Sequence, residues 1–309
     1  MSAATPAAGR PVAHSLSEEF RSAVDLLCDP ARRGSPTTQR IDARHGTLGW
    51  LTPGGTRPWR GHYGSDMDIG ISGRRAAVAA GSSGLGLGAA KALAAEGAAV
   101  VICGRDADRL KRAIAEIGHG AVSVVCDVGS AEGGAKFVEL ATAALGGPID
   151  ILVPNAGGPP AGTFTSTEVD AYTAALDLNL LSIVAMCKAA VPGMQERGWG
   201  RVAAITSLSV RQPIPNIILS NTARAGATAF LKTLALEVAA DGVTVNTVQP
   251  GIHDTPRLDA LFTPEQKAQV RMGDAGDFGS VVAFLCSEQS KFVSGLQLHV
   301  DGGAYAGLL

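Results

Sequence analysis

The sequence lacks the segments that carry a chain into or across a membrane. No uninterrupted apolar run reaches the roughly 18 to 20 residues of a membrane-spanning helix. The N-terminus has neither the basic start nor the apolar stretch of a secretory signal. Basic clusters are also missing, and the formal net charge is −2. We therefore expect no nucleic-acid or membrane partner, and the composition predicts a soluble cytoplasmic protein.

Closely spaced cysteines are absent as well. The five cysteines lie far apart and form no C-x-x-C pair. They are Cys28, Cys103, Cys126, Cys187 and Cys286. Their local sequences show no polar, basic setting that would activate a thiolate. The sequence therefore predicts buried free thiols and no metal site.

The N-terminal part of the chain differs in composition from the rest. Residues 1–66 hold eight arginines, no lysine and several Pro/Gly-rich stretches, which indicate mostly irregular structure. One short amphipathic helix is predicted at residues 15–27, where Ser15 and Glu18 form a capping box. Met67 directly precedes a strand-like segment. Residues 1–66 are thus either a native extension or a mis-assigned start, and residues 67–309 form one predicted domain.

From residue 75 onward, short apolar runs alternate with helical patterns. Strands are predicted at residues 75–80, 98–103, 122–126, 149–154, 201–206, 244–247 and 297–300, and the first two helices at 85–96 and 106–117. Near-continuous apolar strands are typical of a parallel sheet that helices cover on both faces. The pattern predicts a doubly wound α/β domain.

A glycine-rich turn spans residues 79–88, between the first predicted strand and the first predicted helix. Gly81, Gly84 and Gly86 would let the backbone approach a pyrophosphate, and Ser83 and Leu85 lie where the helix N-terminus would hold its charge. The same composition is typical of a tight strand-to-helix turn without a ligand. By itself the turn does not distinguish a dinucleotide site from a tight turn without a ligand.

Further motifs follow in order along the chain. They are Asp127 and Val128 after Cys126; Asn155, Ala156 and Gly157 after Pro154; Asn179; Ser207; Asn246; Pro250 with Gly251 and Thr255; and the run from Val300 to Gly303. Together with the glycine turn, they resemble the short-chain dehydrogenase/reductase family from residue 75 to the end. The resemblance implies a Rossmann-type α/β fold. One departure is that the slot of the family's first glycine holds Ala80, with Gly81 one place late.

The resemblance implies a dinucleotide site built from these motifs. In it, Asp127 would meet the adenine and the loop from Asn155 would support the cofactor. The implied cofactor-binding residues are Gly81, Ser83, Gly84, Leu85, Gly86, Arg105, Asp127, Val128, Asn155, Ala156, Gly157, Pro250, Gly251 and Thr255.

The end of the second strand bears on the choice of cofactor. An acidic residue there would accept a hydrogen bond from the ribose 2′-hydroxyl, whereas an arginine would pair with a 2′-phosphate. The position holds Arg105, and Asp106 one residue later is predicted to cap the next helix. The sequence favours NADP(H) over NAD(H). An arginine that only lies along the helix start is the alternative.

The catalytic positions depart from the family pattern. In the family a Ser positions the carbonyl, a Tyr about thirteen residues later donates the proton, and a Lys four residues beyond lowers the pKa of that Tyr. Counting from Ser207 leads to Ser220 and Arg224, so that S-x-x-x-R replaces Y-x-x-x-K. The resemblance implies that Asn179, Ser207, Ser220 and Arg224 form the catalytic set. Asn179 would supply a water or backbone link, and Ser207 and Ser220 would contact the carbonyl oxygen. Arg224 would replace the Lys at the nicotinamide ribose and help to stabilise a developing oxyanion.

No tyrosine has the spacing of the missing proton donor. The three tyrosines are Tyr63, Tyr172 and Tyr305. His253, just after Pro250 and Gly251, is a candidate substitute acid, and the alternative is a solvated loop histidine. Ser209 is either a second hydroxyl in a relay with Ser207 and Ser220 or a residue without a catalytic role.

The sequence therefore predicts an NADP(H)-dependent oxidoreductase, similar to 3-oxoacyl-carrier-protein reductases, that acts on a carbonyl or an alcohol. Its substrate would be an acyl-thioester or a small molecule, bound under an irregular loop at residues 252–276. Two alternatives are a nucleotide-binding sensor or scaffold without redox turnover, and a lyase or isomerase that uses the same pocket. The resemblance also implies a homodimer or homotetramer, built on a helix predicted at residues 221–239.

Overall fold

A computed structural model describes residues 68–259 and 262–308. Residues Asp68–Leu309 form one compact unit. The helix predicted at residues 15–27 and Cys28 lie outside the described residues.

Seven parallel strands form a single sheet in the described part of the chain, in the order β3-β2-β1-β4-β5-β6-β7. They are β1 (Arg75–Val78), β2 (Ala99–Gly104), β3 (Val122–Val125), β4 (Ile151–Val153), β5 (Gly200–Ile205), β6 (Val243–Pro250) and β7 (Gln297–Val300). The strand order reverses between β1 and β4, which places the crevice of a doubly wound sheet at the carboxyl ends of these two strands.

The helices connect consecutive strands. They are α1 (Gly84–Ala95), α2 (Ala107–Ile117), α3 (Ala131–Ala144), α4 (Val169–Leu176), a π-helical turn (Asp177–Leu181), α5 (Ser182–Glu196), α6 (Ile218–Val238), α7 (Pro256–Asp259), α8 (Pro264–Ala268) and α9 (Ala275–Leu285). Short 3₁₀ turns lie at Leu208–Val210 and Ala239–Asp241.

The sheet has a buried apolar core on each face, because successive strand residues point to opposite sides. Val101 packs on the face covered by α3, α5 and α6, whereas its neighbour Ile102 packs on the face covered by α1, α2 and α9. Both faces being covered explains why the strands are apolar along most of their length. The predicted doubly wound α/β fold is confirmed.

Most predicted boundaries differ from the structure by one or two residues, and two differ by three. Strand β6 extends to Val243–Pro250 beyond the predicted 244–247, because the polar Gln249 is buried inside the domain and interrupts the apolar pattern that the prediction followed. Helix α6 begins at Ile218, three residues before the predicted 221.

The continuous helical segment Val169–Glu196 is 28 residues long and has a window of mean hydropathy 1.7, so it is long and apolar enough to cross a membrane. Asp177 and Lys188 interrupt the apolar run, so the expectation of no uninterrupted run of this length holds, but the average hydropathy of the segment still meets the requirement. Met186 and Met194 on this segment are fully buried in the core against the sheet. That packing is typical of the core helix of an α/β domain.

The cysteines in the described part of the chain have no disulfide partner. Cys103, Cys187 and Cys286 are buried, as predicted, and burial raises the pKa of each thiol to about 12. Cys126 is only partly buried, but burial raises its pKa as well. The prediction of buried free thiols is confirmed for Cys103, Cys187 and Cys286, whereas Cys126 is free but only partly buried.

Candidate active site

The predicted site residues gather at one edge of the sheet. The glycine turn follows β1, Arg105 follows β2, Asp127 follows β3, and Asn155 follows β4. Further along the sheet, Ser207 follows β5, and Gly251 to Thr255 follow β6. Because all strands are parallel, their carboxyl ends share this edge. Residues that are more than a hundred positions apart in the chain thus line one crevice.

The glycine turn is shaped for the close approach of another backbone or a ligand. A Cβ atom on Gly86 would lie 2.6 Å from the Ala80 main-chain oxygen and 2.9 Å from Asn155 Nδ2. Ala80, in the slot of the family's first glycine, has φ of 47°. That left-handed conformation costs a residue with a side chain about 1 to 2 kcal/mol, which gives a physical reason for a glycine there.

Asn155 connects the turn to the loop after β4. Its Nδ2 donates hydrogen bonds to the main-chain oxygens of Ala79 at 3.3 Å and Ala80 at 3.5 Å. The resemblance predicted a role for Asn155 in supporting the cofactor. In the structure it acts by holding the backbone of the turn.

The start of helix α1 is open to an anion. Ser83 occupies the N-cap position but its side chain makes no capping hydrogen bond, and the first turn of α1 has no acidic residue. Helix N-termini attract phosphate through their main-chain N–H groups and dipole. A Cβ atom on Gly84 would lie 3.3 Å from the methyl group of Thr255, so the loop after β6 lies directly against this turn. These residues fit the pyrophosphate of a dinucleotide.

Arg105 and Asp127 lie together at the outer end of the crevice. Arg105 Nη1 is 4.0 Å from Asp127 Oδ2, and the two side chains are 79% and 62% exposed. Asp106 instead accepts a hydrogen bond from the Arg109 main-chain N–H at 2.9 Å, which lowers its pKa. Asp106 therefore caps α2 as predicted, and Arg105 presents an exposed guanidinium next to Asp127. Val128 is buried in the core, so only its main chain can face a cofactor.

Asn179 lies in the π-helical turn and is fully buried. Its Nδ2 donates to the Gly157 main-chain oxygen at 2.9 Å, which is the backbone link that the resemblance implied. Its Oδ1 is buried without a hydrogen-bond partner. A buried acceptor of this kind is usually satisfied by an ordered water molecule.

Arg224 is buried beneath the crevice and bonds only to main-chain oxygens in the described part of the chain. Nη1 donates to Ile205 at 3.2 Å and Thr206 at 3.1 Å, and Nη2 donates to Ala156 at 3.3 Å. Burial lowers the pKa of Arg224 to about 10, and the nearby charge of Arg257 acts in the same direction. The guanidinium therefore stays charged at neutral pH and ties the end of β5 to the loop after β4.

Ser207 and Ser220 lie close to this guanidinium in the fold. Ser220, also buried, precedes Arg224 by one helical turn and so lies on the same side of α6. Ser207 directly follows Thr206, and its Oγ accepts a hydrogen bond from the Ser209 main-chain N–H at 3.1 Å. This bond uses an acceptor site of Ser207 and leaves its hydroxyl proton to donate. The Ser209 Oγ is buried without a hydrogen-bond partner.

His253 is not the solvated loop histidine that we weighed as the alternative. It is 6% exposed, and its ring meets that of Phe278 edge to face with centroids 5.2 Å apart. Nδ1 lies 3.3 Å from the Gly251 main-chain oxygen. The described contacts direct His253 toward α9, on the other side of the sheet from α6, and none of them joins it to Ser207 or Ser220. Its role as substitute acid stays without structural support.

The tyrosines in the described residues lie in different surroundings. Tyr172 packs beside Ala175 and Leu219 at the start of α6. The ring of Tyr305 meets that of His299 edge to face with centroids 4.4 Å apart.

Arg257 is a site residue that the sequence did not indicate. It lies on α7, two residues after Thr255. Its Nη1 donates to the Gly158 main-chain oxygen at 3.3 Å, and its Nη2 donates to that of Pro159 at 3.0 Å. Nothing in the irregular segment around it marks this residue, because the contact joins positions that are about a hundred residues apart.

The fold and the crevice together define a dinucleotide-binding domain of the Rossmann type, with a group of polar side chains beside the loop after β4. Comparison with known proteins identifies its family. The family model described as "Enoyl-(Acyl carrier protein) reductase" matches residues 79–305.

Relatives of known name cover most of the chain. Dehydrogenase/reductase SDR family member 4 of Oryctolagus cuniculus is 35% identical over 248 residues, which are 76% of this chain and 94% of that protein. The 3-oxoacyl-acyl-carrier-protein reductase FabG of Vibrio cholerae is 31% identical over 241 residues, which are 76% of this chain and 98% of that protein.

A solved structure of L-sorbose reductase from Gluconobacter frateurii, complexed with NADPH and L-sorbose, is also similar. It is 31% identical with a TM-score of 0.72, and the match covers 78% of this chain and 100% of that one. A 3-oxoacyl (acyl-carrier-protein) reductase from Agrobacterium tumefaciens C58 with NADP bound is 30% identical with a TM-score of 0.70, covering 76% and 96% of the two chains. The chain belongs to the short-chain dehydrogenase/reductase family and is an oxidoreductase.

Proposed function

We propose that the protein is an NADP(H)-dependent oxidoreductase that interconverts a carbonyl and the matching alcohol. The observation that carries the cofactor assignment is the exposed guanidinium of Arg105 at the end of β2, where a 2′-phosphate would lie. Structures similar to this chain contain NADPH or NADP, which supports a nicotinamide cofactor.

Different residues of the crevice would bind different parts of the cofactor. The open N-terminus of α1 and the glycine turn would hold the pyrophosphate, with Asn155 keeping the turn in shape. Arg105 and Asp127 would hold the adenosine end, Thr255 would lie over the pyrophosphate beside Gly84, and Pro250 and Gly251 would face the other end. When bound, the nicotinamide supplies or accepts the hydride.

We propose that three side chains polarise the carbonyl. We assign Ser207 and Ser220 as hydrogen-bond donors to the carbonyl oxygen. Arg224 has a fixed positive charge behind them, which would stabilise the negative charge that develops on that oxygen. Its bonds to the oxygens of Thr206 and Ala156 hold it rigid, so it need not reorganise during the reaction.

The proton source differs from that of the family. A tyrosine has a pKa of about 10, whereas an aliphatic hydroxyl is closer to the ~15.7 of water, a difference of about 7 kcal/mol. Ser220 is therefore too weak an acid to donate alone, and we propose that it passes on a proton received from water. General acid catalysis contributes about 10² to 10⁴ in rate, so slower hydride transfer remains feasible without the tyrosine.

For the substrate we propose a 3-oxoacyl thioester or a small ketone, because the relatives include a 3-oxoacyl-carrier-protein reductase and an L-sorbose reductase.

We also propose a homodimer or homotetramer, as the resemblance implies. Leu236 on α6 is 72% exposed, so part of the apolar surface of this helix is left for a second copy to cover.

To test this proposal, NADPH and NADH are titrated into the protein, and the change in fluorescence gives the affinity for each cofactor. The oxidation of NADPH is then followed in the presence of ketones, β-ketoacyl thioesters, enones and imines. We expect tighter binding of NADPH than of NADH, and oxidation of NADPH with at least one carbonyl substrate. Tight binding without turnover of any compound would refute the enzyme assignment for carbonyls and favour a sensor. Turnover confined to enones or to a non-redox product would indicate a different reaction in the same pocket.

A further inference from the structure

Two arginines converge on the loop after β4. Arg224, from α6, bonds to the main-chain oxygen of Ala156, and Arg257, from α7, bonds to those of Gly158 and Pro159. Arg224 is buried, whereas Arg257 is exposed. The two guanidinium groups thus bond to one short loop. Arg224 does so from the buried side of the crevice and Arg257 from its exposed side, which we call the mouth.

Neither arginine has a carboxylate partner among residues 68–259 and 262–308, where every ion pair involves other groups. The acidic residues on the same loop as Arg257 are already engaged. Asp254 lies 3.5 Å from Lys267 Nζ, and Asp259 forms a shorter ion pair with the same Lys267. Main-chain oxygens satisfy some of the N–H groups of the two arginines but do not neutralise their charges.

The charge of Arg224 lies beside the reacting groups, and neither arginine has a described bond to the glycine turn or to Arg105. Arg224 shares one side of α6 with Ser220 and bonds to the oxygen of Thr206, next to Ser207. The pyrophosphate would lie at the N-terminus of α1, and a 2′-phosphate would lie at Arg105. An anion held by Arg224 and Arg257 would therefore belong to the substrate.

A carboxylate fits this arrangement best. The planar fork of a guanidinium matches the two oxygens of a carboxylate, and the charge-assisted hydrogen bonds are short and strong. We propose that the substrate carries a carboxylate, so that the protein reduces oxo acids, or oxidises hydroxy acids, and that Arg257 at the mouth binds the carboxylate while Arg224 supports it from below. This inference rests on the proposed function and narrows its substrate class.

The test compares oxo acids with their methyl esters as paired substrates. The pairs have the ketone next to the carboxyl group, one carbon away or two carbons away, and NADPH oxidation gives kcat/KM for each. We expect the free acid to be preferred in at least one pair. The variant Arg257→Gln should lower kcat/KM for that acid by about 10-fold to 100-fold, through a higher KM. The same variant should change kcat/KM for the matching ester by less than about twofold.

Two variants serve as controls. Arg257→Lys keeps the charge but loses the fork and should recover part of the activity toward the acid. Lys291→Gln removes an exposed positive charge from the turn before β7, outside the loop at residues 252–276 and with no described bond to the loop after β4, and should have no effect. If Arg257→Gln lowers kcat/KM equally for the acid and the ester, Arg257 only holds the loop in place and the inference is overturned. The inference is also overturned if the esters react as well as the acids in the unmodified protein.

A binding measurement keeps this test separate from the proposed function. With NADPH bound, the melting temperature is followed while a hydroxy acid and, separately, its neutral amide are added. Stabilisation by the acid alone, lost in Arg257→Gln, supports the anion site even when no carbonyl is reduced. Equal stabilisation by both compounds refutes it. Weaker NADPH binding in Arg257→Gln would also refute it, since Arg257 would then serve the cofactor.

Discussion

The side-chain amide of Asn155, at the end of β4, donates to the main-chain oxygen of Ala79, at the end of β1, at 3.3 Å. This bond joins the two loops on either side of the point where the strand order reverses. It holds the backbone of the glycine turn, which would receive the pyrophosphate under the proposed function. The turn thus depends on a residue that lies outside it.

Replacing Asn155 with Ala should weaken NADPH binding by about 10-fold and lower the free energy of unfolding by about 1 to 2 kcal/mol, because two main-chain oxygens lose their donor. Fluorescence titration and urea denaturation measure the two effects. The control is Asn221→Ala, which removes a similar amide bond to the Ile214 oxygen outside the turn. Equal losses of cofactor affinity in both variants would contradict the role of Asn155.

Replacing Ala80 with Gly should raise the free energy of unfolding by about 0.5 to 1 kcal/mol, because glycine adopts the left-handed conformation at φ of 47° without strain. NADPH affinity should stay the same or increase. The matched variant Ala79→Gly changes a buried neighbour that is not left-handed and should be destabilising. A loss of stability in Ala80→Gly, measured by urea denaturation, would show that this strain is absent.

Replacing Arg105 with Asp should weaken NADPH binding by about 10-fold to 100-fold and leave NADH binding equal or stronger. The new carboxylate would repel a 2′-phosphate and could accept a hydrogen bond from a 2′-hydroxyl. Arg112→Asp, with the same change of charge on α2, controls for net charge. Unchanged affinities for both cofactors in Arg105→Asp would refute the assignment of Arg105.

Changing Ser220 to Tyr and Arg224 to Lys together should increase the rate of ketone reduction, by up to the roughly 10² to 10⁴ that general acid catalysis provides. In the single variant Ser220→Tyr, Arg224 keeps its bonds to three main-chain oxygens, so a smaller gain is expected. Steady-state kinetics with ketones that the unmodified protein reduces provide the comparison. No gain in the folded double variant would show that the site is built for a different proton path.

Replacing Leu236 with Glu should shift the protein toward monomers, because a charge on this 72% exposed apolar position of α6 would be costly to bury between two copies. Size-exclusion chromatography with light scattering measures the mass. Phe292→Glu changes a 99% exposed apolar residue outside α6 and serves as the comparison. A clean monomer in the unmodified protein would contradict the proposed assembly.

The order of strands and helices and the position of the nucleotide turn follow from the sequence alone. Apolar runs such as Val100 to Cys103 are local patterns, and burial on both faces of a parallel sheet requires them wherever such a strand occurs. The glycine turn, Arg105 and the replacement of Tyr and Lys by Ser220 and Arg224 can also be read directly, since each depends on residue type and spacing along the chain.

The tertiary structure alone decided which groups meet. Sequence spacing does not show that Arg224 bonds to the oxygens of Thr206 and Ala156, nor that His253 packs against Phe278. No local sequence pattern indicates Arg257 as a site residue, because its partner Gly158 is 99 positions away along the chain. Such contacts arise from how the loops after β4 and β6 fold over the sheet edge, which no local pattern encodes. The sequence determined the Rossmann-type fold, and the packing of these loops decided where Arg224 and Arg257 bring positive charge to the loop after β4.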